Sequence, residues 1–122
     1  MKALSPTTSD ALALKIAAAL DDGKAEDIRQ LDVRGMTVIT DFMIIATGRS
    51  ARQVKALCER VREAASSIGV KAVGVEGEQL AEWVLIDLND VIVHVMQPTA
   101  RDFYQLEKLW EERHNSRLLE EA

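Results

Sequence analysis

The sequence has one cysteine, Cys58, so no disulfide can close within the chain, and a reducing cytoplasm is the expected compartment. No uninterrupted apolar run approaches the roughly 20 residues that a membrane-spanning helix needs, so no membrane association is expected. Met1 to Asp10 contain one lysine and several hydroxyls but no apolar segment, so no secretory signal is expected there. The two histidines, His94 and His114, stand in unrelated contexts, and no metal-ligand spacing is present. Between Ala72 and Ala100 there is no Lys or Arg at all, while Glu76, Glu78, Glu82, Asp87 and Asp90 are all there. The preceding stretch has the opposite character, with Arg49, Arg52, Lys55, Arg60, Arg62 and Lys71 against Glu59 and Glu63. A net charge of −5 argues against a broad phosphate-binding surface, which needs clustered cations. An acidic segment on such a chain is either a solvated face or a surface complementary to a basic protein.

What is present suffices for one folded domain: 122 residues, 48% of them apolar and 29% charged, with no internal repeat and no linker. Leu12, Ile16 and Leu20 recur at fourfold spacing and predict a helix from Ser9 to Asp21, stopped by Gly23. Asp27 to Val33 reads as a strand. Phe42 to Thr47, apolar at nearly every position, reads as a strand buried on both faces. Ser50 and Gln53 form a capping box opening a helix with Val54, Leu57, Cys58, Val61, Ala65 and Ile68 on one face, ended by Gly69. On that stripe Cys58 is expected to be a buried core thiol.

Val70 to Val75 reads as the next strand. The runs Trp83 to Leu88 and Val91 to Met96, joined by Asn89-Asp90, predict a tight hairpin. Its register puts Trp83, Leu85 and Asp87 on one face with Ile92, His94 and Met96. Pro98 ends the second strand, and Thr99 with Asp102 reads as a capping box for a helix bearing Phe103, Leu106, Leu109 and Trp110 along one side. The element order is therefore α-β-β-α-β-β-β-α. The expected fold is α/β, a mixed sheet of about five strands with flanking helices. The strand–helix–strand unit from Phe42 to Val75 favours a parallel crossover. One domain is expected over residues 1–110, with a tail over 111–122 that is either frayed and polar or, through Leu118 and Leu119, an extension of the last helix.

Three places invite chemistry. Gly48-Arg49-Ser50 lies where a strand meets a helix N-terminus, a position suited to anions, but it is neither GxGxxG nor a P-loop. A nucleotidyltransferase would follow such a turn with two metal-binding carboxylates, and the next strands offer only Glu76 and Glu78. Asp87 and His94 can meet across the hairpin, where a structural hydrogen bond explains them without a nucleophile or oxyanion site. Trp83 heads a strand after three acidic residues and suits either the core or an interface anchor. Trp110, on a helical stripe, is expected in the core.

Together these segments resemble the ribosomal silencing factor, or Iojap-like, family. The resemblance is carried by Asp41 with the strand to Thr47-Gly48-Arg49-Ser50, by Gly74-Val75-Glu76-Gly77-Glu78, and by Trp83 and Asp87-Leu88. It continues through Asp90 to Met96 and from Arg101 through Tyr104 to Trp110. Order and spacing hold over about residues 11–110, and the segment 111–122 lies outside the likeness. The resemblance implies a nucleotidyltransferase-related fold without its active site, no cofactor and no catalytic residue. It further implies a translational repressor that binds the large ribosomal subunit at its intersubunit-face protein number fourteen. There it blocks the small subunit and lowers translation when nutrients are scarce. A homodimer is implied for the free protein. The family's binding tryptophan falls on Trp83, and the binding surface expected around it comprises Glu78, Leu80, Glu82, Leu85, Asp87 and Tyr104. Sequence-specific nucleic-acid binding is not expected of an acidic face. Two other readings stay open: nucleotide transfer at Gly48-Arg49-Ser50, and a dimeric adaptor with no role at the ribosome.

Overall fold

A computed structural model describes residues 8–111. Its elements are α1 (Ser9–Asp22), β1 (Glu26–Asp32), β2 (Phe42–Thr47), α2 (Ala51–Ser67), β3 (Gly74–Glu76), β4 (Trp83–Asp87), β5 (Val91–Met96) and α3 (Pro98–Tyr104). The expected order of elements is the observed one. Most boundaries move by a residue, as in α1, where Thr8 caps the start by accepting from Ala11 N at 3.1 Å.

The five strands form one sheet in the order β1-β2-β5-β4-β3. β2 and β5 lie parallel at its centre, Phe42 opposite Val91 and Thr47 opposite Met96, and every other pairing is antiparallel. β3 does run in the direction of β2, as the crossover requires, but β5 and β4 are inserted between them. β3 is also shorter than Val70–Val75, because only residues 74–76 pair with β4. At the other edge β1 pairs with β2 through a register break between Glu26 and Arg29, where Asp27 has φ 49°.

Alternation sorts the side chains into two unequal layers. Phe42, Ile44 and Ala46 of β2, Val84 and Ile86 of β4, and Val91, Val93 and Val95 of β5 pack against α1 and α2. The other face carries a smaller cluster of Val33, Met43, Ile45 and Met96, against which Trp83, Ala100, Leu106 and Trp110 pack partly buried. Both faces of β2 are thus covered, which is why all six of its residues are buried. Cys58 faces the larger layer, and burial pushes its thiol up to about 12. A thiolate reagent should therefore leave the native protein unmodified at neutral pH and label it fully in denaturant. Rapid labelling of the native state would place Cys58 outside the core.

The final helix departs most from the sequence pattern. α3 starts at Pro98, with Gln97 as its N-cap and no side-chain cap bond, so Thr99 and Asp102 do not form the expected box. Proline at the first helical position supplies the start instead. Gln105 is left-handed at φ 46° and breaks the helix, and a second helical stretch follows over 106–111. The break separates Phe103 from the stripe of Leu106 and Trp110. Phe103 is 79% exposed, and Leu109 is exposed as well. Trp110 keeps its place against the smaller layer. Of the segment expected to be a polar tail, only Glu111 falls within the described residues, where it pairs with Arg29.

Candidate functional site

The hairpin is tight, as read: Asn89 takes φ 73° and its N–H donates to Asp87 Oδ1 at 2.8 Å. Its register puts Trp83 opposite Met96, Leu85 opposite His94 and Asp87 opposite Ile92, all on the face away from α1 and α2. The ladder runs one step further, with Gln97 N donating to Glu82 O at 2.9 Å.

The expected Asp87–His94 pair does not form. His94 sits opposite Leu85, and its Nδ1 accepts from Trp83 Nε1 at 2.9 Å. That bond requires the neutral ring with its proton on Nε2. At 4% exposure His94 is buried, and burial holds its pKa down at about 4. Protonation in the unfolded chain but not in the folded one makes stability rise with pH. The contribution is complete above 6.5, the ordinary value, and is lost as pH falls toward about 4, on the order of 3 kcal/mol in all. His94→Gln keeps an acceptor but does not titrate, so urea midpoints across that window should flatten. An unchanged slope would assign the acid sensitivity elsewhere.

Trp83 is half-buried, with part of its side chain packed against the smaller layer and part open to solvent. Its ring lies 4.6 Å from that of Tyr104, which in turn meets Phe103 edge-on at 4.9 Å. His94, Trp83, Tyr104 and Phe103 thus form a continuous line from the core to solvent, Tyr104 being 54% exposed. Two backbone devices hold Trp83 in place. Gly77 has φ 86°, and a Cβ there would collide with Trp83 O. Ala81, left-handed at φ 58°, presents its carbonyl to Gln97 Nε2 at 2.9 Å.

Of the expected surface, Trp83, Leu85 and Asp87 share this face, with Tyr104 against Trp83 and exposed Glu82 at its end. Leu80 is exposed on the loop between β3 and β4. Glu78 is not brought to this face: it bonds Arg62 of α2 at 2.9 Å, on the helix-covered side. Glu76 joins instead, opposite Leu85 in the β3–β4 ladder. Phe103 also joins, which its helix-like spacing concealed. Period-two alternation across β3 would have found Glu76.

At Gly48-Arg49-Ser50 the polar groups are spent internally. Ser50 Oγ accepts from Gln53 N at 3.1 Å, and Gln53 Oε1 accepts from Arg49 N at 2.7 Å, so the capping box is real but reaches one residue further back. The Arg49 guanidinium bonds Glu26 at 2.6 Å. Beside it lies a polar cavity of about 420 Å³ lined by both acidic and basic groups. One of them is Arg101, which is buried and bonds Thr47 Oγ1 at 2.8 Å and Glu107 Oε2 at 3.1 Å.

A five-stranded mixed sheet with two helices on one face, and an aromatic, acid-rimmed second face, defines a single α/β domain. The chain matches the family model described as ribosomal silencing factor during starvation over residues 6–122. It is 50% identical over 92 residues to the ribosomal silencing factor of Chromobacterium violaceum, covering 75% of each. With that of Bacillus subtilis it shares 45% over 98 residues, covering 80% of this chain and 83% of the relative. A crystal structure of a Chromobacterium violaceum protein superposes with a TM-score of 0.84 at 44% identity, covering 86% of this chain and 88% of that one. The chain belongs to the ribosomal silencing factor family.

Proposed function

We propose that this chain represses translation by binding the large ribosomal subunit at its intersubunit-face protein number fourteen, excluding the small subunit from the same place. The observation that carries the reading is the sheet face of Trp83, Leu85 and Asp87, extended by Tyr104 and bordered by Glu76 and Glu82. An aromatic anchor within a partly apolar, acid-rimmed surface suits a basic protein. A face drawn from a segment without Lys or Arg does not suit RNA, whose phosphates need cations. The action is steric, with no catalytic step and no cofactor, and takes place in the cytoplasm. When free, the chain pairs with a second copy of itself. Among the described residues no helix is long and apolar enough to cross a membrane.

In a sucrose gradient, protein added before subunit mixing should co-sediment with the large subunit and reduce the intact-ribosome peak. Migration with the small subunit, or an undiminished peak, would overturn the reading.

A further inference from the structure

At the solvent end of the aromatic line lies a notch of about 410 Å³ lined by Glu82, Gln97, Thr99, Ala100, Phe103 and Tyr104. Its walls combine two aromatic rings with a carboxylate and two neutral polar side chains. The Gln97 amide nitrogen is engaged by Ala81 O, which leaves its oxygen as the acceptor for a visitor. Glu82 is exposed, and no hydrogen bond or ion pair holds its carboxylate among the described residues. No cation lines the notch. Arg101, on the same helix, is turned to Thr47, Glu107 and Asp27.

We infer that this notch receives an arginine side chain of the partner protein, its guanidinium stacked against Phe103 and Tyr104 and bonded to Glu82. The inference rests on the docking reading above and names the chemistry read at that surface. A guanidinium offers a flat face to the rings and in-plane donors to a carboxylate and an amide oxygen at once. A lysine ammonium offers charge without the plane, and a leucine leaves Glu82 facing an apolar group.

The test has two arms. The full-length ¹⁵N-labelled protein is titrated with N-acetyl-arginine amide, with its lysine counterpart, and with the neutral isostere N-acetyl-citrulline amide. Amide shifts should concentrate at Glu82, Gln97 and Phe103–Tyr104, strongest for arginine and absent for citrulline. Equal shifts from citrulline, or shifts lying elsewhere, overturn the inference. In the second arm, Glu82→Gln and Phe103→Leu, both checked for native circular dichroism, should each lower affinity for dissociated large subunits about tenfold. Parent-like affinity in both variants overturns the notch while leaving the docking face standing. If the parent itself fails to bind large subunits, the docking reading falls, and the blocked-arginine titration still decides what the notch accepts.

Discussion

Replacing Trp83 by alanine is expected to weaken binding to dissociated large subunits by about 2 kcal/mol or more, roughly thirtyfold, mostly through faster dissociation. The side chain also supports the fold. Its N–H satisfies His94 Nδ1, and its ring packs on Tyr104. Alanine leaves a buried acceptor without its donor and Tyr104 without a floor, costing on the order of 2 kcal/mol of stability. Trp83→Phe separates the two roles, keeping a ring beneath Tyr104 while deleting the N–H. Its stability should fall through the lost bond, with affinity closer to that of the parent than to that of the alanine variant. Urea melts and subunit-binding kinetics on all three proteins check this. If Trp83→Ala, corrected for its folded fraction, dissociates at the parent's rate, Trp83 is a structural residue. The anchor would then have to be sought at Tyr104 and Phe103.

The second large effect lies on the other side of α3. Arg101 ties three parts of the chain together, with Thr47 at the end of β2, Asp27 at the bulge of β1, and Glu107 beyond the helix break. Its side chain is almost fully enclosed, and that of Glu107 is largely so. Arg101→Met removes the charge while retaining bulk, leaving Glu107 enclosed without its partner. Such a loss costs about 3–5 kcal/mol. The double change Arg101→Met with Glu107→Leu orphans no charge and should recover much of that loss. Denaturant midpoints of the two variants make the comparison. A single variant within about 1 kcal/mol of the parent would mean that water already screens the pair.

The parts of this fold legible in the sequence are those where burial on a sheet leaves a local pattern. Phe42–Thr47 reads as a central strand because neighbours on both sides and layers on both faces leave no position for a polar residue. The hairpin register follows from two apolar runs and a two-residue turn, since a slip of one would turn Val84 and Ile86 outward. What the pattern conceals is settled by long-range partners. Nothing local marks Arg101 as enclosed, since charged side chains rarely are, and nothing nearby announces Thr47, Asp27 and Glu107 as its company. Glu78 belongs to the acidic stretch by sequence and to Arg62 in space. Phe103 fits a helical stripe until Gln105 turns left-handed, a backbone event that the spacing of apolar residues cannot register. In the surface around Trp83, alternation along β4 was readable, while the contributions of α3 and β3 came from packing.

The parallel pairing of β2 with β5 bears on how the chain acquires its structure during synthesis. The two strands at the sheet's centre are separated by α2 and the β3–β4 hairpin. Their union therefore closes a long loop, a slow step by contact order. Until Met96 has left the ribosome, the segment Phe42–Thr47 has β1 on one side and nothing on the other. A strand of six apolar and β-branched residues with an open edge is an aggregation template. A nascent chain stalled before Val91 thus exposes its most adhesive segment, and α1 and α2 shield only one of its faces. Fragments ending ahead of β5 should collect in the insoluble fraction, whereas a chain reaching Met96 has the partner strand that closes that edge.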